Sequence, residues 1–347
     1  MCVQSDFWEF FMHNDKTVRR YETGSGIPVY CLPVEAFPKH VTNCYLIKTD
    51  PLILIDAGSA YPGNREDLDT AFNTLREDFG ETLTLADVEV HIITHGHIDH
   101  FGGLNYVLEQ SGARLGIHEL DAPVIANFWE RLIFGTKSLH HYLDRTGLSP
   151  ESVNTILTTH YQSREIFQAT QPDFTFTEGP LDGLPLEAYH VPGHCPGQVC
   201  LRLDDILFSA DHVLAHVTPL QAPESIMRNT GLGHYLQSLR AVRDLPGIRI
   251  ALPAHEEPVE DFAGRVDAII TFHHQRLDKT LAACDEPRNI KDIALQLFGE
   301  RHNHHVFLAL LEAGAHVEYL YERGLLRIAN LDDIRDEYNP VILYTQA

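Results

Sequence analysis

The sequence predicts an α/β protein in which two sheets pack together with helices outside, followed by a small helical domain. Three observations carry this. Short apolar runs, many of them β-branched, recur between residues 28 and 252 and are separated by turns. Helical periods interrupt them without the steady βαβα alternation of a single parallel sheet. From about Glu260 the pattern becomes three successive helical stretches. The expected division places residues 1–258 in the two-sheet unit and 259–347 in the helical one.

Strands are expected at 28–32, 43–48 and 51–55, the last running into Asp56-Ala57-Gly58. Residues 65–79 set Leu68, Ala71, Phe72, Leu75 and Phe79 at helical spacing. Residues 88–94 (VEVHIIT) make a short buried strand leading into HGHIDHFGG, with a helix at 104–110 beyond. Residues 118–170 read as mostly helical, Pro150 standing in a first turn. Their apolar positions, Phe128, Trp129, Phe134 and Tyr142, fit either a lid over a hydrophobic substrate or core and dimer surface. Strands return at 174–177, 186–191, 199–203 and 206–209, then a helix at 235–245 and a strand at 249–252.

The tail has helices at 261–283, 289–298 and 306–323, a stop at Gly324 and a short strand in LLRIAN, the outline of a winged helix. Its third helix carries Glu312, His316, Glu318 and Glu322 among few charges, a poor face for a DNA groove and a better one for packing or dimerisation. His273, His274 and Arg276 either line a cleft mouth or form a solvated face.

Hydrophobic residues make up 44% of the 347, ordinary for a globular chain and too many for a disordered one. Lys+Arg number 26 against 49 Asp+Glu, a formal charge of −23. Such a surface repels a phosphate backbone, so nucleic acid is a disfavoured partner. No apolar run is long enough to span a bilayer, and residues 1–20 lack a basic start followed by a long apolar core, so a cytoplasmic location is expected. Six cysteines, Cys2, Cys31, Cys44, Cys195, Cys200 and Cys284, form no CxxC pair, which argues for free thiols. Histidine is frequent, at 22 residues, and imidazole is the commonest metal-binding side chain.

The strongest motif is His95-Gly96-His97-Ile98-Asp99-His100. Past the end of a strand, residues two apart project to one side, so His95 and His97 can grip one cation. The chain then turns into a helix that swings Asp99 and His100 towards a second position. Four donors within six residues are too many for one open tetrahedral site, which points to two adjacent metals. Three further strand-then-turn segments supply the rest: AYHVPGHCPGQ offers His194, LFSADHV offers Asp211 and IALPAHEEP offers His255. His194 completes a three-histidine site with His95 and His97. His255 joins Asp99 and His100, and the carboxylate of Asp211 can bridge the two.

These segments, in this order and with Asp56 in LIDAG before them, resemble the metallo-β-lactamase superfamily over roughly residues 28–258. The resemblance implies an αββα sandwich with a dinuclear, usually zinc, site at one sheet edge. It also implies that Asp56 buttresses the ligands rather than binding metal. The C-terminal helices look like the winged-helix tail of the lactamase-β-2-like branch, with glyoxalase II-like thioesterases as neighbours. The loop differs from many glyoxalase II sequences in lacking an aromatic between His97 and Asp99, and cationic residues that would clamp glutathione do not match.

The chemistry so implied is cleavage of a thioester, ester or lactone of a small acyl substrate by a hydroxide generated between two cations. Zn²⁺ suits five histidines and two aspartates, with Fe or Mn also possible. Asp99 binds first and can steer a proton. Two alternatives stay open: a single-stranded RNA nuclease, and a mononuclear iron dioxygenase, whose relatives keep the HxHxDH loop. His118 is expected at a helix start, with a substrate-side role as the alternative. Structural roles are expected for His212 and His216, and a helix start for His304 and His305.

Overall fold

The computed structural model describes residues 15–162, 167–302 and 304–347, with the side chains of 160–162 and 304 left aside. Cys2 and the rest of residues 1–14 lie outside the described residues. The first sheet runs in chain order through β1 (Arg19–Glu22), β2 (Pro28–Phe37), β3 (His40–Ile47), β4 (Ile53–Ile55), β5 (Val90–Ile93), β6 (Arg114–His118) and β7 (Phe174–Phe176). β1 to β4 pair antiparallel and β4 to β7 parallel. The second sheet is β8 (Gly179–Pro180), β9 (Glu187–His190), β10 (Val199–Leu203), β11 (Ile206–Ala210) and β12 (Ile250–Pro253), antiparallel except for the parallel pair β11–β12.

Strands bury both faces here, so apolar residues run nearly continuously and split by parity. Along β2, Val29 and Cys31 join Tyr45, Ile55, Ile92, Leu201, Phe208 and Leu252 in the core between the sheets. The alternate residues Tyr30 and Leu32 turn outward onto Leu68, Phe72 and Leu75 of α1 (Pro62–Asp78). The same face, further along, covers itself with α2 (Ile98–Phe101), α3 (Leu104–Ser111), α4 (Ala122–Ala126) and α5 (Phe128–Arg145). The order of layers is therefore α, β, β, α.

The outer face of the second sheet, through Cys200, Leu207 and Ala251, packs on the remaining helices. These are α6 (Pro150–Gln162), α7 (Leu232–Arg243), α8 (Phe262–Ala282), α9 (Ile290–Phe298) and α10 (His304–Glu322). A short α11 (Leu331–Ile334) and a hairpin-like pair, β13 (Leu326–Ile328) with β14 (Tyr344–Gln346), follow. The C-terminal helices share one continuous apolar cluster with α5, α7 and the sheet.

Helix α5 divides its large apolar residues: Phe128 and Tyr142 are buried, while Trp129, Ile133 and Phe134 are exposed, Phe134 at 66%. Among the described residues no helix is long and apolar enough to cross a membrane. The described cysteines are free thiols, all buried.

Candidate metal centre

Every expected site residue leaves the carboxyl end of a strand. Asp56 follows β4, the stretch from His95 to His100 follows β5 and ends in α2, His194 sits in the loop after β9, Asp211 directly follows β11, and His255 lies just past β12. Three backbone positions at this edge, Asp56 (φ 57°), Ala210 (φ 48°) and Glu256 (φ 67°), hold a left-handed conformation without being glycine. Each such position costs about 1–3 kcal/mol and persists only where its surroundings fix it.

The seven predicted donors converge. His95 Nε2 lies 3.2 Å from His97 Nδ1, close to the edge of about 3.3 Å that two nitrogens make on one tetrahedral cation. Asp211 Oδ2 lies 3.4 Å from His194 Nε2 and 3.9 Å from His95 Nε2. Its other oxygen, Oδ1, lies 3.5 Å from His100 Nε2 and 3.4 Å from His255 Nε2. Asp99 Oδ2 is 3.5 Å from His255 Nε2 and 3.7 Å from His100 Nε2. One carboxylate thus faces two separate nitrogen sets. Among the described residues, His100 Nε2, His194 Nε2 and Asp211 Oδ1 are buried without a hydrogen-bond partner. Native proteins rarely bury bare polar atoms, and this donor set fits a pair of divalent cations.

The far nitrogen of His95, His100, His194 and His255 is tied down, which orients the other nitrogen of each ring inward. His100 Nδ1 donates to Asp56 Oδ2 at 2.9 Å, His194 Nδ1 to the Leu220 carbonyl at 2.8 Å, and His255 Nδ1 to the Val41 carbonyl at 2.7 Å. Asp56 also accepts the Thr94 amide and hydroxyl, each at 2.8 Å, so that hydroxyl is left to accept from His95 Nδ1 at 3.2 Å.

The electrostatics follow from burial and proximity. Burial, with help from His194, pushes His97 down to about 3, and His95 is likewise held well below the usual imidazole range. Burial opposes charge on His255 as well, but Asp211 and Asp99 outweigh it and push the imidazole up to about 10. His100 is raised for the same reason, by Asp211, Asp99 and Asp56. Protons on these two rings balance the carboxylates, and a cation taking their place would release them.

Two residues of the centre carry no sequence signal. His40, opening β3, donates from Nε2 to Asp99 Oδ2 at 2.8 Å, and its ring lies 4.6 Å from that of His255. Asp121 is fully buried, and burial pushes its carboxyl up to about 6. It accepts the Gly96 amide at 2.8 Å and the Gly197 amide at 2.9 Å, joining the loop of His95 and His97 to the loop of His194.

Other expectations are corrected. His118 ends β6 rather than opening a helix, and stacks on His190 at 4.3 Å. His273 and Arg276 neither line a cleft mouth nor form a solvated face. His273 is fully buried, its Nδ1 3.2 Å from His316 Nε2, and Arg276 pairs with the buried Glu312 at 2.6 Å. The charges of α10 therefore point partly inward, because the helix is enclosed by α8 and the loop before α7. His273, Glu312 and His316 could by residue type hold a cation. The Arg276 guanidinium already neutralises that carboxylate, and a buried dication beside it would be repelled.

The family model described as "Metallo-beta-lactamase superfamily" matches residues 38–255, which include every residue of this centre. The chain belongs to the metallo-beta-lactamase superfamily. The protein "Probable metallo-hydrolase YqjP" of Bacillus subtilis (strain 168) is 24% identical over 292 residues, 80% of this chain and 86% of its own. An atrochrysone carboxyl ACP thioesterase of Aspergillus terreus is 25% identical over 228 residues, 65% of this chain and 52% of its own. The crystal structure of the metallo-beta-lactamase family protein TTHA1429 from Thermus thermophilus superposes with a TM-score of 0.73 at 25% identity. It covers 92% of this chain and 98% of its own, so this superfamily member shares its fold well beyond the matched segment.

Proposed function

We propose that this superfamily member is a dinuclear metal-dependent hydrolase that cleaves a thioester, ester or lactone of a small acyl substrate. The observation that carries the proposal is the division of Asp211, whose two oxygens face different imidazole sets 3.4–3.9 Å away. The names of the relatives, a metallo-hydrolase and an acyl carrier thioesterase, support the reaction class. Five imidazoles with two carboxylates are a borderline-soft set that favours Zn²⁺ over Fe or Mn.

Bound cations would supply Lewis acidity and bring the ionisation of water into the neutral range. The chain's own residues do the rest. Asp211 and the tied imidazoles hold the reacting centre rigid, so little reorganisation is needed as charge develops. Asp99, steadied at Oδ2 by His40, offers a carboxylate to hold the proton lost by an attacking water. Cys195, beside His194, is no nucleophile: it is buried, and burial holds its thiol well above the usual range.

The test is metal content together with turnover of a panel of acyl thioesters, esters, lactones and phosphodiesters. His97→Ala and Asp211→Ala are expected to abolish turnover and lower metal content while circular dichroism is unchanged. Full activity in either variant would overturn the reading, and turnover confined to phosphodiesters would replace the acyl substrate.

A further inference from the structure

The peptide bond between Leu220 and Gln221 is gripped at both ends. Its carbonyl accepts His194 Nδ1 at 2.8 Å, and its N–H donates to Glu312 Oε2 at 2.9 Å. A trans peptide is planar with these two groups on opposite sides, so Glu312 and His194 stand at the two ends of one rigid dipole. Glu312 is fully buried on α10, and its other oxygen takes Arg276 of α8 at 2.6 Å. The Glu312 main-chain carbonyl meanwhile accepts His316 Nδ1 at 2.7 Å, within the same turn of the helix.

We propose that Glu312 is a positioning residue for the metal centre, acting on His194 through the 220–221 peptide. A histidine ligand is commonly oriented and made more basic by a carboxylate on its second nitrogen. Here a peptide group stands between the two. A negative charge on the N–H polarises the peptide and strengthens its carbonyl as an acceptor, because hydrogen bonds in a chain reinforce one another. The link also connects the C-terminal helices to the centre. Helix α8 supplies the guanidinium that fixes Glu312, and α10 supplies the carboxylate that fixes the loop bearing Leu220. Neither residue touches the reacting atoms.

The inference rests on the metal reading of the centre, and the experiment separates the two. The full chain, as Glu312→Gln and Glu312→Asp, is titrated with Zn²⁺ against a chromophoric chelator and with Co²⁺ by visible spectroscopy, and the melting point of each metal-free variant is recorded. Glu312→Gln removes the charge. Glu312→Asp keeps the charge beside Arg276 but withdraws the oxygen from Gln221, and carries the test if the amide variant fails to fold. Both are expected to weaken one cation by roughly tenfold or more and to shift the Co²⁺ spectrum. In a His194→Ala background, the same changes are expected to add no further loss.

Unchanged affinity and spectrum in a folded variant would overturn the role of Glu312 alone. A loss of equal size in the His194→Ala background would also overturn it, since the effect would then bypass His194. If the unaltered chain binds no cation, both readings fall together.

Discussion

Asp121→Asn separates a brace from a ligand. The carboxylate of Asp121 accepts one glycine amide from each of two metal-site loops, at 2.8 and 2.9 Å. Burial raises it from 3.8 to about 6, so at neutral pH it is ionised at a cost of about 3 kcal/mol, at 1.36 kcal/mol per unit. Asparagine removes that cost and keeps one acceptor. Its NH₂ then opposes the other glycine N–H, leaving a buried donor bare at about 1–3 kcal/mol. These effects nearly cancel, so unfolding free energy should move by less than about 2 kcal/mol, whereas Asp121→Ala orphans both donors and should cost more. The lock between the loops is nevertheless broken. Affinity for the cation held by His95, His97 and His194 is expected to fall about 10- to 100-fold, the usual cost of losing an outer-shell partner. Chelator competition reads the affinity and urea denaturation the stability. If Asp121→Asn binds both cations as tightly as the unaltered chain, the two loops need no shared carboxylate and Asp121 is no brace.

Two further outcomes follow from the same packing. Gly193 has φ 140°, and a Cβ there would lie 2.5 Å from the Tyr235 Cα, so Gly193→Ala should cost about 3 kcal/mol or more, read as a lower denaturation midpoint. His316, faced by His273, Arg276 and Glu312, is pushed down to about 4 by burial, above all, so its neutral form favours folding and that contribution is lost as pH falls from about 6.5 towards 4. Between about pH 7 and about pH 5 the chain should lose about 2 kcal/mol more than His316→Gln does, and equal slopes in paired urea titrations would contradict the assignment.

The donors were legible because each is a polar side chain set where a strand stops: the HxHxDH loop, His194, Asp211 and His255 all interrupt apolar runs. The bracing groups were not, because they act through the backbone. Asp121 grips two glycine amides and Leu220 offers a carbonyl, and neither interaction leaves a side-chain pattern. His40 is a single histidine at a tight β2–β3 turn, with no spacing to mark it. Strand β1 (RRYE) carries no strand signal, because only alternate residues are half-buried and none is aliphatic.

Helical spacing held a clue to the buried knot of the tail. His273 stands four residues from Ile269 and from Leu277, both buried, and Glu312 and His316 are four apart on a mostly apolar helix. Polar residues on a buried stripe pair inside, although charged groups on a helix ordinarily face water.

In the proposed hydrolase Asp211 stands between two cations. Anomalous diffraction at the zinc edge, from crystals of the zinc-loaded chain, tests it most directly. Two peaks are expected, one against Oδ2 with His95, His97 and His194, the other against Oδ1 with Asp99, His100 and His255. A lone peak, or peaks lying away from this carboxylate, would contradict it.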